Sequence, residues 1–161
     1  HSQRSGWIMP SSDAVSDRAI SDMRLEPLPG EMPKALARLG DKTWHVDGAV
    51  LEGAWSFADA YLLATTDGIP YEDGLHFSLL SPDRVEETVS LIAAYATGTF
   101  RLHGVLDREI AFSFFGDTQW TLRVLAAPVM HVPFFGDPRG VSRPWTFTKR
   151  LVVEDSPVSG E

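Results

Sequence analysis

Cysteine is absent from the 161-residue chain. This excludes disulfides, thiolate metal sites and cysteine nucleophiles, and leaves a packed core as the source of stability. A chain without thiols suits a reducing compartment, so a cytoplasmic location is expected. Long hydrophobic runs are also missing. Nothing approaches the roughly 20 apolar residues that cross a bilayer as a helix, and no membrane partner is expected. The start, His1 to Ile8, lacks the basic region and apolar run of a secretory signal, which is either not there or has been removed. Positive charge is scarce: 14 Lys and Arg stand against 22 Asp and Glu, a formal charge of −8 with His neutral. Phosphate backbones are bound by dense Lys and Arg that release counterions, so nucleic acid is not an expected partner.

Reaction motifs are equally lacking. There is no Gly-x-Ser-x-Gly elbow, no phosphate-binding Gly-x-x-x-x-Gly-Lys-Ser/Thr, no Gly-x-Gly-x-x-Gly, no calcium loop of the Asp-x-Asp-x-Asp-Gly type and no His-x-x-x-His pair. No cofactor is expected. The chain begins with His1, and Met9 and Met23 are candidate native starts, so no function is placed on residues 1–22.

What the sequence does hold is ordinary globular material, 43% hydrophobic and 22% charged. Residues 1–23 alternate Ser, Asp and Arg with few apolar residues, which reads as a flexible arm in which Ser16 to Met23 could form a helical turn. Residues 24–155 read as one β-rich domain, and 156–161 as a flexible tail. Pro27, Pro29, Gly30 and Pro33 interrupt any helix that tries to continue. Pro33 then suits an early helix position, and Met32, Leu36 and Leu39 recur at helical spacing up to Gly40, predicting one short N-terminal helix over 32–39.

From Lys42 onward the period shifts towards two, the spacing of strands with one buried face. Ile110, Phe112 and Phe114 face one side, and Trp120, Leu122 and Val124 alternate with polar residues after a Gly-Asp turn, so the two runs predict a hairpin with Phe112, Phe114 and Trp120 inside. Ser56 to Thr65, Leu75 to Leu80, Thr99 to Leu106 and Trp145 to Val153 read as further strands. Residues 82–95 fit either a helix with Val85, Val89 and Ile92 on one face or a strand with Val85, Val89 and Leu91 alternating. The strand is preferred because Leu75 to Leu80 ends directly at Ser81-Pro82-Asp83-Arg84, a ready hairpin turn. The fold class is therefore mainly β (α+β): an antiparallel meander forming a curved sheet, sandwich or partly open barrel, with the short helix in front.

Four groups of residues are candidates for chemistry. His76 and His103 would come together if their strands paired, with Asp107 or Glu72 as further metal ligands; the plainer reading is isolated strand histidines. Ser113, His103 and Asp107 could meet only in space as a nucleophilic triad. Between residues 67 and 87, six acids, among them Glu72 and Asp73, face one arginine, a concentration that would attract a cationic partner or form a solvated loop. Aromatics crowd the C-terminal half. Phe115 falls on the face opposite Phe114, and Phe134-Phe135 follow Pro133 in a broken segment, so a second layer or a partner must cover them. Last, the Gly- and Pro-rich loop 136–144 carries Arg139 and Arg143, a possible carboxylate clamp or two solvated arginines. Phe114-Phe115-Gly116-Asp117 recurs as Phe134-Phe135-Gly136-Asp137, and two such turns do not make a repeat protein.

The reading that follows is a non-catalytic protein-binding module that neutralises a basic partner. In size, acidity and missing motifs the chain resembles small toxin-neutralising immunity proteins, a likeness from which no family follows. The alternative is a small-molecule-binding β protein or an enzyme with a His/acid pocket, and self-association is a third possibility. Expected binding residues are Glu72, Asp73, Phe115, Phe134, Phe135, Arg139 and Arg143.

Overall fold

The structure is a computed structural model that describes residues 19–57, 59–69, 73–92, 98–116, 118–132, 136–144 and 146–157. Its strands are β1 (Arg24–Leu28), β2 (Lys34–Leu39), β3 (Lys42–Asp47), β4 (Val50–Phe57), β5 (Ala60–Thr66), β6 (Leu75–Leu80), β7 (Val85–Leu91), β8 (Arg101–Leu106), β9 (Glu109–Ser113), β10 (Thr118–Met130), β11 (Val141–Ser142) and β12 (Thr148–Pro157). They form three antiparallel sheets of order β1-β2-β3, β11-β7-β6-β5-β4 and β12-β10-β9-β8. Each sheet keeps two edges, so no barrel closes among the described residues.

The five-stranded sheet is the middle layer. Strand alternation sends Leu62, Ala64, Leu75, Phe77, Leu79, Val89 and Leu91 to one side, where they pack on Ile110, Phe112, Trp120, Leu122 and Leu151 of the four-stranded sheet. The other side sends Ala54, Leu63 and Leu80 against Ala35, Ala37, Trp44 and Val46 of the three-stranded sheet. This double cover buries every residue of β6. Each fully enclosed Leu or Phe contributes about 1.5–3 kcal/mol. Met23, at the end of the segment expected to be an arm, joins the second core, and Ala19 bridges Trp55 on the β4 edge.

The expected hairpin is present: Trp120 pairs with Phe112, and Phe112, Phe114 and Trp120 are all buried. Residues 85–91 are a strand, joined to β6 by a turn in which the Ser81 N–H donates to the Arg84 carbonyl at 2.9 Å.

Two expectations are corrected. The helix over 32–39 is instead strand β2, and no helix occurs among the described residues. Ala35 and Ala37 are the buried pair there, with Ala37 opposite Trp44 and Ala35 opposite Val46, while Met32 is exposed. The indole needs small side chains across from it, and that packing outweighs the helical spacing of Leu36 and Leu39. Ser56 to Thr65 is not one strand but the ends of β4 and β5, which pair through Phe57 and Ala60.

Candidate functional site

Strand β10 changes character halfway. Trp120, Leu122 and Val124 alternate inward, but from Ala126 to Met130 every residue is exposed. The strand has left the core, continuing as a ribbon with β12 in which Val129 faces Lys149 and Met130 faces Thr148. Beyond them the His131 N–H donates to the Phe147 carbonyl at 2.8 Å. The exposed apolar side chains of the ribbon are Val129, 44%, Met130, 84%, Val132, 57%, and Phe147, 61% exposed, beside Thr148 and Lys149 of β12. No charged residue occurs from Val124 to Val132.

Charged side chains fix the root of this ribbon. The register slips between Val124 and Val129, so Leu125 to Pro128 oppose Arg150 alone. Guanidinium groups take over from the lost ladder: Arg108 Nε donates to the Val124 carbonyl at 2.7 Å and Arg150 Nε to that of Leu125 at 2.8 Å. Asp59, on the β4–β5 turn, accepts from both arginines and so ties the middle sheet to the bulge. Burial alone would raise the Asp59 pKa, but the hydrogen bonds from Arg108 and Arg150 prevail and hold its carboxyl below the ordinary value.

A second clasp lies on the other side of the root. Glu87 on β7 accepts the backbone N–H groups of Arg150 at 2.7 Å and Leu151 at 3.0 Å. Arg143 donates to Glu87 at 3.1 Å and forms a two-pronged pair with Asp137 at 2.8 and 2.9 Å. His131 Nε2 stands 4.0 Å from Asp137. Burial, followed by the neighbouring positive charges of Arg143 and Lys149, pushes the His131 pKa down against the pull of Asp137 and Glu87. Beside this clasp a cleft of about 130 Å³ is lined by Glu86, Thr88, Thr146 and Thr148 among others.

The middle sheet carries a third polar group. His76 and Ser90 are opposite one another on β6 and β7, with Nδ1 2.7 Å from Ser90 Oγ, and Nε2 lies 2.7 Å from Asp67 Oδ1. An ionised carboxylate only accepts, so Nε2 donates to Asp67, and Nδ1 shares the second hydrogen bond with the Ser90 hydroxyl. Gly74 makes room for this arrangement, since a Cβ there would stand 2.8 Å from Asp67 Oδ2.

The expected site residues scatter across these features. Glu72, Phe134 and Phe135 lie outside the described residues. Asp73 accepts the N–H groups of Asp67 and Gly68 at 2.9 and 3.0 Å, shaping its own loop. Phe115 is half-buried against the main core, 4.6 Å from the Phe114 ring, so cover comes from within the chain. Arg143 is buried among its carboxylates and Arg139 is exposed, so the two do not form a clamp. His103 is exposed on β8, in a different sheet from His76, so the metal pair does not assemble. Ser113 sits at the far end of the β8–β9 hairpin from Asp107, which separates that triad. Part of the acidic stretch is engaged within the chain: Asp67 faces His76, Glu87 faces Arg143, and hydrogen bonds from Arg84 hold Glu86 below its ordinary pKa, while Asp83 is exposed.

The ribbon escaped the sequence reading because an uncharged run such as Val124 to Val132 has the composition of a buried strand. Pro128 is the signal that could have found it, since proline inside a strand marks an edge or a bulge. Comparison with protein-family models, with curated proteins and with solved structures finds no match.

Proposed function

We propose that the protein is a non-catalytic protein-binding module whose contact surface is the ribbon formed by the ends of β10 and β12. The observation that carries this reading is Met130, 84% exposed within an uncharged segment whose neighbours Val129 and Val132 are exposed as well. Exposed apolar side chains gathered on one segment favour docking, because water is released when a partner covers them. The Asp59 and Glu87 clasps hold the root in place, so little ordering entropy is lost on association. The proposed partner is a basic protein, neutralised in the manner of an immunity protein, since a net charge of −8 steers a cationic surface towards the chain.

The test is capture of partners from source cells on the immobilised chain, followed by binding kinetics with the purified partner. The reading expects a basic protein whose association rate falls steeply as salt rises while dissociation changes little. A captured partner that is acidic, or whose association ignores salt, overturns the charge argument.

A second reading, an enzyme with a His/acid site, draws support from the Asp67–His76–Ser90 relay alone. In it Nδ1 would take the Ser90 proton while Asp67 steadies the imidazolium. All three side chains are nearly enclosed, which is why this reading comes second. Covalent labelling by a fluorophosphonate in the native chain, abolished in Ser90→Ala, would promote it; an unlabelled native chain would end it.

A further inference from the structure

Away from the ribbon, the start of β8 borders a cleft of about 260 Å³ lined by Gly98, Thr99, Arg101, Ser113, Phe114 and Gly116. Arg101 is opposite Ser113, and opposite residues on an antiparallel pair share a face. Thr99 precedes Arg101 by two positions and follows the same side of the chain. Phe112, next to Ser113, points the other way into the core. The guanidinium and two hydroxyls are therefore gathered on the solvent side, while the Phe114 ring is buried in the core and its carbonyl belongs to the floor.

The floor is closely packed backbone. The Thr99 N–H donates to the Phe114 carbonyl at 3.1 Å. A Cβ on Gly98 would stand 2.2 Å from that same oxygen, so only glycine permits the approach.

Charge singles out Arg101 further. Arg38, Arg84, Arg108, Arg123, Arg143 and Arg150 each stand within 4.0 Å of a carboxylate. Among the described residues Arg101 has no such partner. Arg24 and Arg139 share that property, but neither lines this cleft.

We propose that this cleft binds a small organic anion, a phosphate monoester or carboxylate, gripped by the Arg101 fork. The hydroxyls of Thr99 and Ser113 donate to its remaining oxygens. The volume is just below the usual range for ligand pockets, about 300–1,000 Å³, which limits the ligand to one small ring or chain.

The test is an NMR titration of the whole chain with phenyl phosphate, benzoate and inorganic phosphate, against chloride at matched ionic strength. The proposal expects saturable shifts of the Gly98, Thr99, Ser113 and Gly116 amides with at least one organic anion, and the tighter one identifies the head group. Arg101→Gln weakens binding at least tenfold and Ser113→Ala severalfold, whereas Arg24→Gln, which removes the same charge from β1, changes it less than twofold. Shifts that never saturate, that chloride reproduces, or that survive Arg101→Gln overturn it.

Discussion

The Arg143 guanidinium donates to the Glu87 carboxylate at 3.1 Å across 56 residues of sequence, with the two side chains only 4% and 14% exposed. Because Glu87 also accepts the backbone of Arg150 and Leu151, one carboxylate joins the middle sheet, the 136–144 segment and the root of the ribbon.

Replacing Glu87 by Ala therefore leaves two backbone N–H groups unpaired and Arg143 with Asp137 alone. Breaking an enclosed pair from one side costs about 3–5 kcal/mol. The expected result in urea is a midpoint lowered by more than about 1 M, given slopes of about 1–3 kcal/mol/M. Glu86→Ala is the contrast, since its partner Arg84 is 73% exposed and such pairs contribute about 0–1 kcal/mol. Equal losses in the two variants would contradict the clasp.

His131 makes stability depend on pH. Its folded pKa is below the ordinary value of 6.5, so near and below that pH the unfolded chain binds more protons than the folded one. Stability contributed by the neutral ring is present above about pH 6.5 and is lost as pH falls from there towards the folded pKa. Urea midpoints measured between pH 7.5 and 5.5 are expected to decline, and His131→Asn to flatten that decline. A slope unchanged by the substitution would remove His131 from the account.

Ala37 tests why β2 is a strand. It is fully buried opposite Trp44, so Ala37→Leu overpacks the second core and costs about 1–3 kcal/mol in thermal unfolding. A neutral or stabilising effect would fit a surface helix instead.

What could be read in advance follows from how local each signal is. Phe112, Phe114 and Trp120 alternate with polar residues inside one hairpin, so their direction is written in neighbouring positions, and they are buried as expected. Val85 to Leu91 fits helix and strand spacing alike, and the adjoining turn Ser81-Pro82-Asp83-Arg84 is what points to the strand. Lys34 to Leu39 is not legible: Ala, Leu, Lys and Arg are good helix formers, and the strand is decided by Trp44 on the next strand. The two residues between β4 and β5, Ala58 and Asp59, include neither glycine nor proline, so nothing in the sequence marks the break. Arg143 stands in a loop that resembles an anion clamp, and its carboxylate Glu87 lies 56 residues away on β7, which pairs with β11 only in the folded sheet. The ribbon required knowing where the core ends, which no window of sequence contains.

The most direct test of the ribbon is the affinity of a Met130→Asp, Val132→Asp double variant for the partner captured by the native chain. Both side chains are exposed, so its unfolding free energy should stay within about 0.5 kcal/mol of the native value. Its affinity should fall at least about 30-fold, the equivalent of one contact residue of about 2 kcal/mol. A folded double variant that binds as tightly as the native chain contradicts the ribbon as contact surface.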